Sequence, residues 1–477
     1  MDTDSTLHAL CAALGSDMAT DILLSGPDID AYCRDWHGDV QTGAIAVLRP
    51  RDREQVAACL RAAARLGLGV VPQGGRTGLA LGAVPDAPAK QLVLSLERMN
   101  RIRRIDAYDF TAEVEAGAVL QTIKDQLAEA GLFFPLALGA QGSCQLGGNL
   151  STNAGGVNVL RYGMTRDLVL GLEVVLPDGQ MLDLLSRLRK DNRGIDLKQL
   201  FIGAEGTLGV ITAATLKLCP LPEQNVTALL ALDRLEDAIT LFRHARRQCC
   251  DLLSAFEFMP PLAFTLAREA MPDLPTAMDE TAPAYVLMEL SGSGLVDVAR
   301  LMERFVELAF VEGLVRDGVV AQSQAQAKTL WRVRDGMNDG QAKRGRHLRT
   351  DLSVPLSAMA DFVAEAEAAV TAALPGVVCV SYGHVGDGNV HLNVLPAVGR
   401  DAEEQIAQAK KVIHDVLYRF GGSISAEHGI GRLKRDDFEK ELPQPKRAIL
   451  ESIKRAIDPG LVMNPNCQIC VTDQPAP

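Results

Sequence analysis

The chain has 477 residues, 47% hydrophobic, 23% charged and 4% aromatic, with a formal net charge of −12; that length exceeds one ordinary core and implies roughly two or three packed units. The acidic balance argues against phosphate backbones and anionic lipid as general partners, the few aromatics offer no base-stacking surface, and no apolar run reaches the roughly 18 residues of a membrane helix. Met1-Asp2-Thr3-Asp4 lacks the basic region that opens a signal peptide, and ten cysteines without a framework read as reduced thiols, so a cytoplasmic address is expected.

Residues 54–66 carry Val56, Cys59, Leu60 and Ala63 at helical spacing, and Gly67 ends that helix before the apolar run Gly69-Val70-Val71-Pro72. Strands are expected at Leu92–Leu96 and Thr111–Glu115, then a helix reaching Gly131, then a hairpin turning at Asp178-Gly179 between Val174-Val175-Leu176 and Met181-Leu182. Leu200 to Thr212 is glycine-punctuated and strand-like, and Pro220-Leu221-Pro222 marks a domain boundary. Beyond it come strand-like Val226–Leu232, helical Leu235–Arg247, strand-like Leu253–Phe258 and Tyr285–Leu290, and helical Val296–Leu308. This order suggests an α+β chain whose second half is a sheet covered by helices on one face, in two βαβ-like halves. Solenoid repeats, low-complexity tracts and long charge blocks are lacking. Cys467-Gln468-Ile469-Cys470 is either a redox or metal pair or a coincidence of spacing, and Val471–Pro477 is expected to fray.

Pro72-Gln73-Gly74-Gly75-Arg76-Thr77-Gly78-Leu79 follows an apolar strand, and its glycines would let successive backbone N–H groups turn toward a diphosphate; a plain turn is the alternative. It fits neither G-x-x-x-x-G-K-[ST] nor G-x-G-x-x-G, which weakens kinase and Rossmann readings. A second cluster runs from Gly139 to Gly156 and holds Ser143, Gly147, Gly148, Asn149, Thr152, Asn153 and Gly155. Together with Gly203–Gly209 these loops suit one long dinucleotide better than three unrelated turns.

These stretches, with Glu205-Gly206-Thr207, resemble the flavin cradle of the vanillyl-alcohol oxidase and p-cresol methylhydroxylase flavoproteins. The resemblance implies FAD extended across two small α+β subdomains. It adds Pro135, Leu136, Ile211 and Asn464 to the residues expected beside the cofactor. Many members tether flavin through His or Cys; the loop here carries Arg76 with no His nearby, so noncovalent FAD is expected.

The sharpest constellation is Ser381-Tyr382-Gly383-His384-Val385-Gly386-Asp387-Gly388-Asn389-Val390-His391-Leu392-Asn393-Val394. Reading Asp387-Gly388 as a two-residue turn pairs His384 directly with His391, their Cβ atoms about 4.5–5.5 Å apart, with Asn393 on the same face. One metal ion could take both imidazoles, although two histidines can also merely pair across a hairpin. The loop Ser425-Ala426-Glu427-His428-Gly429-Ile430-Gly431 offers a third ligand, and two His with one carboxylate leave coordination positions open, as catalytic zinc does.

The hairpin and the Glu427-His428-Gly429 loop look like the carboxy-terminal half of FAD-dependent D-2-hydroxy acid dehydrogenases. The run from Leu188-Arg189-Lys190-Asp191-Asn192 to Gly203 is most similar to members acting on D-2-hydroxyglutarate, and similarity extends from about residue 38 to Asn466. The resemblance implies a divalent metal, zinc in those enzymes, on His384, His391 and Glu427, with His428 as the base at the reacting carbon. It also matches Arg334 and Arg349 to substrate-carboxylate contacts and Asn338 to a substrate-binding position, while Asn393, two residues beyond His391 on the same face, is placed to hydrogen-bond the substrate. An Arg fork holds a carboxylate bidentately, while ordinary solvated arginines remain the bland alternative. Asn338 stands where a small hydroxyl residue is common, and Arg349 where lysine is, so D-lactate, D-malate and glycolate stay open as substrates.

The expected architecture is an N-terminal helical segment (1–37), a two-subdomain FAD-binding domain (38–219), a substrate or cap domain with an antiparallel sheet covered by helices (220–420), and a segment returning to the FAD domain (421–477). The expected partners are a small anionic 2-hydroxy acid and an external electron acceptor, such as an electron-transfer flavoprotein or a quinone. A homodimer is left open, and a noncatalytic FAD-binding subunit is the reading of another class.

Overall fold

The structure, a computed structural model, describes residues 3–86 and 90–471; of the tail expected to fray, residues 472–477 lie outside the described ones. Contacts divide the chain into two units. One comprises Met1–Gly155, Met164–Leu221 and Glu427–Pro477, the other Gly156–Gly163 and Pro222–Ala426. The N-terminal helices are therefore part of the first unit, where Leu10, Leu14, Ala19 and Ile22 join the core of Val56, Leu60 and Leu94.

In the first unit a four-stranded sheet runs Leu23–Leu24, Ala46–Leu48, Gln91–Ser95, Gly69–Gln73, with the last three parallel. The helix Arg53–Leu66 connects two of these strands. Asp52 caps it by accepting the Gln55 N–H at 2.8 Å, and Gly67 ends it at φ 60°. Its Val56, Cys59, Leu60 and Ala63 are fully buried. A second sheet is antiparallel, in the order Ile102–Asp106, Thr111–Glu115, Val210–Lys217, Val169–Val175, Met181–Leu184.

The expected strand from Leu200 is corrected: Leu197–Leu200 is a 3-10 turn, residues 201–209 form further turns, and extended backbone begins at Val210. Gly203, Glu205 and Gly206 at φ 80°, 50° and 71° interrupt any strand there. The C-terminal segment lies beside Gly69–Gln73, with the Val70 N–H donating to the Val462 carbonyl at 2.8 Å and the Asn464 N–H to the Val70 carbonyl at 2.7 Å. Cys467 and Cys470 are both unbridged.

The second unit is built on a seven-stranded sheet, antiparallel throughout, in the order Asp317–Val320, Gln224–Leu232, Ala284–Gly292, Leu253–Met259, Val378–His384, Asn389–Leu395, Leu352–Ser353. Helices cover both faces, not the single face expected. On one, Leu330, Val333 and Met337 of the Gln324–Lys343 helix pack with Leu229, Tyr285, Leu287, Val380 and Tyr382. On the other, Phe242 of the Leu235–Cys249 helix meets Phe256 edge-on at 5.3 Å. The physical reason lies in the strands, where runs such as Leu229-Leu230-Ala231-Leu232 are buried without alternation, so each face needs a cover.

The Gln324–Lys343 helix approaches the Leu262–Ala270 helix very closely, because a Cβ on Gly340 would lie 2.1 Å from the Leu266 carbonyl oxygen. Glycine alone permits that distance.

Candidate active site

The glycine loops of the first unit are pressed together backbone to backbone. A Cβ on Gly75 would sit 2.1 Å from the Ser143 carbonyl oxygen, and one on Gly74 3.3 Å from the Gly148 nitrogen. Thus Pro72–Leu79 and the Gly139–Gly156 cluster form one surface, backed by Gly147 against Ala116. Three buried acceptors on it, Gln73 Oε1, Gln145 Oε1 and Asn149 Oδ1, have no hydrogen-bond donor among the described residues. Buried carbonyl oxygens normally have partners, so this surface fits a ligand rich in donor groups, as a flavin nucleotide is.

Other expected cofactor residues have structural duties. The Arg76 guanidinium stacks 4.7 Å over the Tyr32 ring and donates to the Ala31 carbonyl at 3.0 Å, so it is directed to the N-terminal segment. Thr152 Oγ1 donates to the Gly148 carbonyl, and Asn153 Oδ1 accepts the Arg166 N–H. Leu136 and Ile211 are buried, and Thr77, Gly78 and Leu79 remain at least partly exposed.

Glu205 and Asn464 act as struts. The Glu205 carboxylate accepts the Ile430 and Gly431 N–H groups, each at 2.8 Å, and Gln468 Nε2 at 3.0 Å. Asn464 Nδ2 donates to the Glu205 and Gly82 carbonyls at 2.6 and 2.9 Å, and its Oδ1 accepts from Arg432 at 2.7 Å. Burial pushes the Glu205 carboxyl above its ordinary range, against the pull of Gln468 and the two backbone amides. These bonds pin the Glu427-His428-Gly429 loop to the cradle of the same unit. Gly155 completes the fit, since a Cβ there would meet Glu427 Oε1 at 2.5 Å.

In the second unit the histidine hairpin departs from its expected register. His384 pairs with Asn389 and Tyr382 with His391, across a four-residue connection in which Val385 is fully buried and Gly388 takes φ 79°. The core draws Val385 inward and lengthens the turn by two residues. A slip of two preserves the face, as a slip of one would not. The imidazoles are thus diagonal neighbours on one face, with ring centroids 5.8 Å apart and planes at 83°.

Each ring is held through Nδ1. His384 Nδ1 lies 2.5 Å from Glu257 Oε1, and His391 Nδ1 3.0 Å from the Thr350 carbonyl oxygen. Donation from Nδ1 makes Nε2 the basic nitrogen of a neutral imidazole, the arrangement typical of metal-binding histidines. Glu257 is 0% exposed, and its Oε2 accepts from Arg334 Nε at 3.1 Å. Burial opposes its ionisation, but His384 and Arg334 outweigh that and hold the carboxyl below its ordinary range.

The Gln324–Lys343 helix presents Arg334, Asn338 and Gln341 at i, i+4 and i+7 on one side. The Arg334 guanidinium lies 4.7 Å over the Tyr382 ring, and the Tyr382 hydroxyl donates to Asn338 Oδ1 at 2.7 Å. Asn393, expected at the substrate, donates from Nδ2 to Gln341 Oε1 at 2.9 Å and to the Tyr382 oxygen at 3.2 Å, while its Oδ1 accepts the Thr350 N–H at 2.9 Å. Arg349 is exposed. Among the described residues no three His, Cys, Asp or Glu side chains gather closely enough to hold a metal, so the expected set of His384, His391 and Glu427 does not form such a group.

Residues 44–185 match the model of an FAD binding domain, and residues 221–467 that of the C-terminal domain of FAD linked oxidases. This chain belongs to the FAD-linked oxidases. The FAD-linked oxidase is 40% identical over 441 residues to a D-2-hydroxyglutarate dehydrogenase of Xanthomonas citri pv. viticola, covering 92% of each chain. It is 39% identical over 433 residues to the mitochondrial D-2-hydroxyglutarate dehydrogenase of Danio rerio, covering 90% of this chain and 79% of that one. Its fold is that of p-cresol methylhydroxylase, solved with substrate bound, at a TM-score of 0.76 and 17% identity over 98% and 97% of the two chains. As an FAD-linked oxidase it binds FAD. No helix among its described residues is long and apolar enough to cross a membrane.

Glu257 escaped the sequence reading of this FAD-linked oxidase, although a signal existed: it is the sole charge in Leu253-Ser254-Ala255-Phe256-Glu257-Phe258-Met259, a strand buried at every position. A carboxylate persists in such a strand only with partners.

Proposed function

We propose that this FAD-linked oxidase oxidises a D-2-hydroxy acid to the 2-oxo acid, with D-2-hydroxyglutarate to 2-oxoglutarate as the leading reaction. The observation that carries this reading is the Arg334–Glu257–His384 alignment beside His391. It sets a guanidinium suited to a carboxylate next to imidazoles suited to an electrophilic cation, on one face of one sheet. The relatives' names point to the same substrate class.

Arg334 holds the C1 carboxylate, and Arg349, with Asn338, holds the distal end of a dicarboxylate. His428 accepts the hydroxyl proton as the C2–H bond gives up its electron pair and the C2–O double bond forms. When bound, FAD supplies the hydride acceptor, and with neither His nor Cys in its Pro72–Leu79 loop the protein holds it noncovalently. His384, His391 and Glu427 would hold a divalent cation, zinc in this reading, which would supply Lewis-acid polarisation of the hydroxyl. Electrons then pass to an external acceptor.

The test is anaerobic flavin bleaching by D-2-hydroxyglutarate, D-malate, D-lactate and glycolate. D-2-hydroxyglutarate is expected to bleach fastest, and a purified yellow protein that none of the four reduces overturns the reading. Exposed Arg349 favours the shorter acids as second candidates, since a screened cation selects weakly for a distal charge. Dialysis against a chelator is expected to lower the rate of bleaching, with recovery on adding zinc; a metal-free protein of full activity refutes the cation.

A further inference from the structure

We propose that Glu257 is a positioning residue that sets His384 and Arg334 at a fixed separation, so that the cation-binding imidazole and the substrate-binding guanidinium are aligned by one carboxylate. The inference rests on the proposed roles of those two residues. Glu257 stands opposite His384 in the ladder and opposite Leu287 on its other side, in the interior of the sheet. Its two oxygens are divided, Oε1 to the imidazole at 2.5 Å and Oε2 to the guanidinium at 3.1 Å, and it is 0% exposed.

The division has chemical consequences on both sides. At His384 it keeps the proton on Nδ1 and orients the ring, which strengthens Nε2 as a ligand. At Arg334 it takes Nε, so the end-on fork of the two Nη nitrogens is the part left to grip a carboxylate, with the plane of the group set by the Tyr382 ring at 4.7 Å. No other residue type serves both sides: an amide accepts through one atom only, and a shorter acid cannot span the gap.

Glu257→Gln, Glu257→Asp and His384→Ala of the full-length flavoprotein decide the matter, with zinc affinity measured by chelator competition and KM and kcat for D-2-hydroxyglutarate measured separately. Glu257→Gln is expected to weaken zinc by about 10- to 100-fold and to raise KM, with flavin content unchanged. Glu257→Asp is expected to fall between it and the parent, because charge is restored but the span is not. Zinc affinity and KM within twofold of the parent in both variants overturn the inference. Should Glu257→Gln fail to fold, as judged by flavin content, the same readouts on Glu257→Asp decide. A His384→Ala protein that keeps its zinc instead overturns the ligand assignment; one that loses zinc while both Glu257 variants retain it overturns only the role of Glu257.

Discussion

His428→Ala is expected to keep its FAD and to reduce it about 10²–10⁴-fold more slowly with D-2-hydroxyglutarate, the range a well-placed general base contributes. That factor corresponds to about 3–5 kcal/mol of barrier. The loop should survive the substitution, because its backbone is fixed by other groups. Glu205 takes the Ile430 and Gly431 N–H groups, and Gly431, at φ 55°, lies so close to Ala80 that a Cβ there would be 1.8 Å from the Ala80 carbonyl oxygen. Loss of rate therefore reports the missing imidazole. His428→Asn, which keeps hydrogen-bonding capacity without a usable base, should be as slow as the alanine variant. Stopped-flow bleaching under anaerobic conditions measures both, and reduction at the parent rate in either variant removes His428 from proton transfer.

Where sequence signals were local, they were legible. The helix over Arg53–Leu66 follows from its apolar spacing, the Asp52 cap and Gly67, all within one stretch of chain. The Asp387-Gly388 signal correctly marks a turn with Gly388 in the left-handed region, but turn chemistry does not report that Val385 is drawn into the core, and this moves the pairing by two residues. The turns over residues 201–209 read as a strand because Ile202, Ala204 and Leu208 are apolar and buried, whereas the positive φ of Glu205 is set by its distant partners Ile430, Gly431 and Gln468. Glu257 shows the same limit in sharper form. Its partners lie 77 and 127 positions away, and only the sheet order brings those strands and the helix together. The roles given to Arg334, Arg349 and His428 came from family resemblance, since nothing local distinguishes them from other arginines and histidines in the chain.

Arg334→Met is expected to lower kcat/KM by about 10²–10³ for every 2-hydroxy acid, whereas Arg349→Met should lower it less than about tenfold and only for dicarboxylates. The asymmetry follows from burial. Arg334 is 6% exposed and hydrogen-bonded to a fully buried carboxylate, so its removal takes away a fixed anchor and leaves the Glu257 charge to His384 without its guanidinium. Truncating one partner of such a pair costs roughly 2–5 kcal/mol. Arg349 is exposed, where water and salt reduce a charge pair to roughly 0.2–1 kcal/mol. A residual effect at Arg349 should accordingly shrink as ionic strength rises, while the loss at Arg334 should hardly change. The comparison is made on D-2-hydroxyglutarate and D-lactate at two salt concentrations. An Arg349→Met enzyme equally impaired on D-lactate would show that this cation does not read the distal carboxylate. An Arg334→Met enzyme at parent efficiency on both acids would place the C1 carboxylate elsewhere.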